Sequence, residues 1–229
     1  MVSAFSVVDA PARGPARRTT GGDLPPRLPP PGGDGDGPDR EPDPRRPILD
    51  NARLATLFLI VAEVMLFAGL VSGFFVLRLG APVWPPPLEP RLPVAATAVN
   101  TLVLLASSVA MLAARRALAE RDLAALARRV GVTAALGALF LTVQGFEWVR
   151  LVRFGLTVSS GAYGSTFYTL IGAHALHVLV ALLWVLLTLQ LIVRGRFSPD
   201  RPGMMRACAM YWHFVVLLWP VLYVTVYLL

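Results

Sequence analysis

From Arg53 onward the chain is a succession of long apolar runs separated by short polar ones. Five apolar stretches fall at about 54–77, 93–114, 130–152, 167–193 and 207–229. A helix rises 1.5 Å per residue, and about 20 residues are needed to cross roughly 30 Å of hydrocarbon, so each run is long enough to span a bilayer. The links between them are 13 to 15 residues long, which predicts antiparallel neighbours packed side by side. The pattern therefore predicts an all-α integral membrane protein, a bundle of five transmembrane helices over residues 51–229. The link 115–129, RRALAERDLAALARR, is charged yet helix-prone, so one of its flanking helices is expected to run on into the aqueous phase. Link 78–92 holds Trp84 and Pro85 to Pro87 and reads as extended, with the tryptophan suited to the membrane interface.

Residues 1–50 break the pattern. They carry 11 of the 20 prolines, seven glycines, seven arginines and eight acids, with almost no apolar clustering. Such a stretch buries too little surface to offset its ordering entropy and is expected to be disordered. It lacks the apolar core of a secretory signal, so the mature protein is expected to keep it.

Composition agrees with a lipid-facing chain: 55% apolar, 15% charged, mean hydropathy +0.62. Soluble domains average near a quarter charged. All 21 basic residues are arginine and the formal charge is +7. Because these arginines flank the apolar runs, the charge reads as membrane topology and not as nucleic-acid binding. With the N-terminus cytoplasmic, seventeen arginines lie inside and four (Arg78, Arg91, Arg150, Arg153) outside. The expected topology is an N-terminus and links 115–129 and 194–206 in the cytoplasm, Leu229 outside, in a bacterial-type plasma membrane. The single cysteine, Cys208, excludes an internal disulfide and a multi-cysteine metal site.

Beyond the first 50 residues only Glu63 and Glu147 among the acids fall within spans. Glu63 lies about nine residues in, or ~14 Å deep by helical rise. An ionised carboxylate there is costly, so it is expected to be protonated, paired, or turned toward protein. Two readings follow: a carboxyl that handles protons or contacts a partner, or a neutral acid hydrogen-bonded within the bundle. Gln144 and Glu147 are three apart on the third span; His174 and His177 are three apart on the fourth, both pairs near the outer end. Two histidines and a carboxylate can hold a metal. A hydrogen-bonded structural cluster in which Glu147 steadies a histidine is the favoured reading, since every polar group in lipid must find a partner. His213, near the inner end of span five, lies at the wrong depth to share a haem with either of the other histidines, and three histidines cannot ligate a haem–copper centre. Ser107 and Ser108, and Gly69, Gly73, Gly137, Gly145 and Gly172, read as small residues at helix contacts.

In these spans the chain resembles subunit III of the haem-copper oxidases, the family of cytochrome c oxidase and ubiquinol oxidase. The resemblance rests on FLIVAEVMLFAGLVSGFFVLR, NTLVLLASS at 100–108, QGFEW at 144–148, YGSTFYTLIGAHALHV at 163–178 and YWHF at 211–214, in order over about 175 residues. It implies a non-catalytic accessory subunit that packs on the catalytic subunit I, beside subunit II, and supports its stability and proton uptake during aerobic electron transport. It implies no cofactor on this chain, haem and copper in the partner subunits, and bound phospholipid. Glu63 matches the family's intramembrane carboxyl, and Glu147, His174, His177 and His213 match family positions. Long family members have seven spans, of which the last five are matched here. Val216 and Arg206 stand where acids are common. Such departures leave open a subunit III-like protein associated with nitric oxide reductase; an independent small transporter is the competing class, against which no repeat is seen among the spans.

Overall fold

The computed structural model describes residues 51–87, 90 and 92–229; the proline-rich segment 1–50, with the disorder expected of it, lies outside the described residues. The chain forms five helices: α1 (Asn51–Gly80), α2 (Val94–Ala119), α3 (Leu123–Arg153), α4 (Gly161–Val193) and α5 (Gly203–Tyr223), which ends in a π-helical turn, Val224–Leu228. All five are long and apolar enough to cross a membrane. Each helix runs beyond its apolar stretch, because backbone hydrogen bonding continues into the polar flank until a residue stops it.

The charged link 115–129 shows how. Nearly all of it is helical: α2 continues to Ala119, Arg121 takes a left-handed φ of 59°, and Asp122 starts α3 by accepting a hydrogen bond from the Ala125 N–H at 2.8 Å. An aspartate at this position satisfies one of the free N–H groups that open a helix. Arg129 then reaches back to the Ala113 carbonyl at 2.7 Å, tying the two helices across the turn. Between α3 and α4 the turn is closed by Ser160, whose hydroxyl accepts from the Thr157 N–H at 2.9 Å and donates to the Gly155 carbonyl at 3.0 Å. Gly155 there has a φ of 97°, which a side chain would oppose.

The core sits around α5. It packs against α1, α2 and α4, while α3 fills the space between α2 and α4. Two fully buried tryptophans fix α5 on α2: Trp212 Nε1 donates to Ser107 Oγ at 3.2 Å and Trp219 Nε1 to Thr101 Oγ1 at 2.8 Å. A buried indole N–H needs such an acceptor. Gly137 of α3 makes room for Trp212, since a Cβ there would sit 2.5 Å from the ring. Gly69, Gly73 and Gly145 have nothing within 4 Å of a would-be Cβ, so within this chain they are not helix contacts. They line outward-facing grooves instead, Gly69 and Gly73 between α1 and α4, Gly145 between α3 and α4. Nor are the serines mere spacers. Ser107 receives Trp212, and Ser108 Oγ shares a 2.6 Å hydrogen bond with His213 Nδ1.

Helix α1 is the least enclosed. Its buried residues are Thr56, Glu63, Phe67 and Phe74, spaced as a single narrow stripe, while Phe58, Met65 and Val76 are two-thirds or more exposed. In lipid that exposure is the norm. A glutamate within the buried stripe is what needs explaining.

Candidate functional site

The stripe of α1 delivers Glu63 into the seam with α4 and α5. Its Oε1 accepts a hydrogen bond from the Tyr211 hydroxyl at 2.9 Å and lies 3.6 Å from His177 Nε2. Glu63 is 7% exposed, and Phe67, one turn further along α1, sets its ring edge-on to His177 at 5.2 Å between centroids. On its other side His177 Nδ1 is 2.6 Å from the Ala173 carbonyl. A carbonyl only accepts, so Nδ1 carries a proton and, in the neutral ring, Nε2 presents its lone pair to Glu63. A carboxylate facing a lone pair is repulsive. The two stand 3.6 Å apart, within ion-pair but beyond hydrogen-bond distance, and a proton on either the carboxyl or Nε2 would remove the repulsion. Tyr211 donates to the same oxygen in either case. Carboxyl, imidazole and phenol are thus gathered about one buried oxygen near the mid-length of α1 and α4.

The remaining predicted residues are distributed differently from the expected cluster. Glu147 turns to its own helix, with Oε2 3.7 Å from Arg150 NH1, and Gln144 Nε2 donates to the Tyr227 hydroxyl at 3.3 Å. The carboxylate beside a histidine is thus Glu63, and not Glu147. The correction has a geometric cause. Helix α4 starts at Gly161, well before the apolar run begins, which puts His177 at the midpoint of Gly161–Val193 and not near an end. That is the depth of Glu63. His174, one turn earlier, is fully buried and stacked on Trp219 at 4.9 Å, with no hydrogen-bond partner recorded for either nitrogen. His213 stands apart with Ser108 at the arginine-rich end. Among the described residues no three of His, Cys, Asp and Glu gather as a metal-ligand set.

Tyr211 is the participant that sequence reasoning missed. A signal was available: α1 and α5 run in the same direction, and Tyr211 lies within about a turn of Glu63 in depth, close enough for a phenol to bridge. What spacing alone does not give is which face of α5 meets α1.

Fold and site together define a five-span helical membrane protein that buries a carboxyl, an imidazole and a phenol at mid-depth and carries its excess arginines at one end. The family model for cytochrome c oxidase subunit III matches residues 45–229. The chain is 36% identical over 181 residues to cytochrome c oxidase subunit 3 of Synechocystis sp., covering 79% of this chain and 76% of that one. It is 36% identical over 176 residues to a probable cytochrome c oxidase subunit 3 of Nocardia farcinica (76% and 86%), and 33% identical over 182 residues to the pig subunit (76% and 68%). The chain belongs to the cytochrome c oxidase subunit III family of the haem-copper oxidases. As such it is a multi-pass membrane protein of the respiratory chain and works in a complex with other oxidase subunits.

Proposed function

We propose that this chain is the accessory subunit of a cytochrome c oxidase-type complex, packed against subunits I and II, and that it sustains the catalytic subunit and its proton supply without carrying out redox chemistry itself. Haem and copper then belong to the partner subunits. This chain contributes helix surface, associated phospholipid and the Glu63 pair. The observation that carries the reading is the buried Glu63 carboxyl that accepts from the Tyr211 hydroxyl and faces His177 in the seam of α1, α4 and α5. A proton held there makes the packing of α1 depend on protonation, and α1 has the most surface left for a partner.

The experiment is sustained turnover of the purified oxidase complex with and without this chain. Removal is expected to leave the initial rate of oxygen reduction largely intact, and then to let activity decay with the number of turnovers instead of with elapsed time. Decay at the same rate with the chain present would sink the role. A Soret band retained by the chain purified alone, and lost in His174→Ala or His177→Ala, would overturn the placement of haem in the partners.

A further inference from the structure

Among the described residues, the buried side-chain atoms without a hydrogen-bond partner are Glu63 Oε2, both ring nitrogens of His174, Asn100 Oδ1, Glu147 Oε2, Trp148 Nε1 and His213 Nε2. His213 faces Ser108 of α2 toward the arginine-rich end. All the others lie at the depth of Glu63 or between it and the opposite end of the bundle. The arginine side of Glu63 is of another character. There α4 buries Val178, Ala181, Leu182 and Val185, and the hydroxyls of Thr56 and Thr188 donate within their own helices, to the Ala52 carbonyl at 2.8 Å and the Trp184 carbonyl at 2.9 Å. The bundle is thus dry on one side of the carboxyl and holds orphaned polar atoms on the other.

His174 stands at the centre of that polar half. It is fully buried, and the Phe67 ring meets both its imidazole and that of His177, at 6.5 Å and 5.2 Å between centroids. Its own ring is stacked on Trp219 at 4.9 Å. Trp219 in turn donates to Thr101 Oγ1 and meets edge-on, at 5.1 Å, the ring of Phe140, whose carbonyl accepts from Asn100 Nδ2 at 3.1 Å. One step further out, Tyr227 sets its ring against Trp219 at 6.4 Å and accepts from Gln144. A neutral imidazole carries one N–H and one lone pair, and in His174 neither meets a protein group. Burying both unmatched is costly, and an internal water that bonds to several such groups is the general remedy.

We propose that His174 binds internal water, and that through this water and the imidazole the Glu63 carboxyl exchanges protons with the aqueous phase at the end opposite the arginines. The ring takes up a proton from water on its bare nitrogen and gives up the one on the other nitrogen, and Glu63 Oε2, which accepts no hydrogen bond within the chain, receives it. At Glu63 the titratable groups facing this route are His177 of α4 and Tyr211 of α5. Beyond His174 they are Glu147 with Arg150 on α3, Tyr163 on α4 and Tyr227 in the π-helical turn, while α2 brings Asn100 and Thr101, which do not titrate. The inference rests on the reading of Glu63 given above and names the side from which its carboxyl is reached.

Hydroxyl-radical footprinting by X-ray radiolysis reports the water itself, since a buried side chain is oxidised only where water lies against it. Trp212 and Trp219 are both fully buried on α5, on opposite sides of this divide. In the full chain in nanodiscs, Trp219 is expected to be oxidised several-fold faster than Trp212. His174→Leu is expected to bring Trp219 down to the rate of Trp212, and His174→Gln, whose amide keeps a donor and an acceptor, to preserve the difference; circular dichroism confirms that each variant is folded. Equal rates at the two tryptophans of the wild type would overturn the water site. The route is read in proteoliposomes with different pH inside and out. A Cys208→Ala, Val158→Cys chain lets an impermeant biotin reagent select the molecules whose α3–α4 turn faces outward. In these, labelling of Glu63 by a membrane-permeant carbodiimide is expected to follow the external pH, by up to about tenfold per pH unit, and not the internal pH. Labelling that follows the internal pH, or neither, would overturn the route. Both measurements use the chain by itself, so their failure leaves the oxidase role standing, and failure of that role leaves them standing.

Discussion

At the level of single residues, the decisive geometry is that Glu63 Oε1 faces two groups with opposite needs: a phenol that donates and an imidazole nitrogen that accepts. Glu63→Gln keeps an acceptor for Tyr211 in its amide oxygen and, in place of the unpartnered Oε2, adds an N–H donor to the same group. Glu63→Ala strands the phenol and the imidazole together. The alanine variant is expected to lose about 1–3 kcal/mol for each group left unsatisfied, and the glutamine variant less than about 1 kcal/mol. Thermal unfolding in detergent, or the yield of assembled complex, measures the difference; equal losses in the two variants would show that the negative charge itself is required. A second outcome concerns the protonation of the pair. A hydrophobic carbodiimide, which reacts with protonated carboxyls in apolar surroundings, is expected to label Glu63, and labelling that is absent in the wild type but gained in His177→Ala would place the proton on the imidazole. The depth of Glu63 was legible from its position in an apolar run. Its partners were not, since a three-residue spacing fixes which residues share a face but not which face meets which helix.

Among the elements, α5 shows where sequence reading runs out. Its span, and the likeness of YWHF to a family motif, were readable from the residues, yet the assignment of small residues to helix contacts held for Gly137 and failed for Gly69, Gly73 and Gly145. Glycine in a membrane helix marks a close approach only if a neighbour uses the space. Trp212 uses it at Gly137. Gly137→Ala is therefore expected to destabilise the bundle by about 1–3 kcal/mol, because the indole is fully buried and its N–H is committed to Ser107, leaving it nowhere to move. Gly69→Ala meets nothing within 4 Å and is expected to be within about 0.5 kcal/mol of wild type for the isolated chain. Unfolding of the two variants side by side decides the matter, and similar melting temperatures would mean that Trp212 has freedom the packing denies it. The apolar runs marked the spans, and the helices extend past them, as the helix-prone link 115–129 had indicated. Hydropathy marks where lipid ends, whereas a helix ends where its backbone groups find other partners, as at Asp122.

For the whole molecule, the alternation of five helices gathers Arg53, Arg115, Arg116, Arg121, Arg128 and Arg129 at one end, joined there by the four arginines of residues 194–206. Of the described arginines, the opposite end holds Arg78, Arg150 and Arg153. Cytoplasmic loops retain arginine because moving it across the bilayer is opposed, so this asymmetry sets the orientation as long as the loops are short. The turn Glu120–Asp122 and the link Arg194–Pro202 are short. The arginine-rich end is therefore expected in the cytoplasm, with the α3–α4 turn and the Val224–Leu228 end outside. Single cysteines at Ala119 and Ser198 are expected to resist a membrane-impermeant thiol reagent applied to intact cells, and one at Val158 to react. Cys208 is buried, and its replacement by alanine removes the background. The opposite labelling pattern would invert the molecule, which would put the arginine-rich end outside and leave the charge asymmetry without its cause.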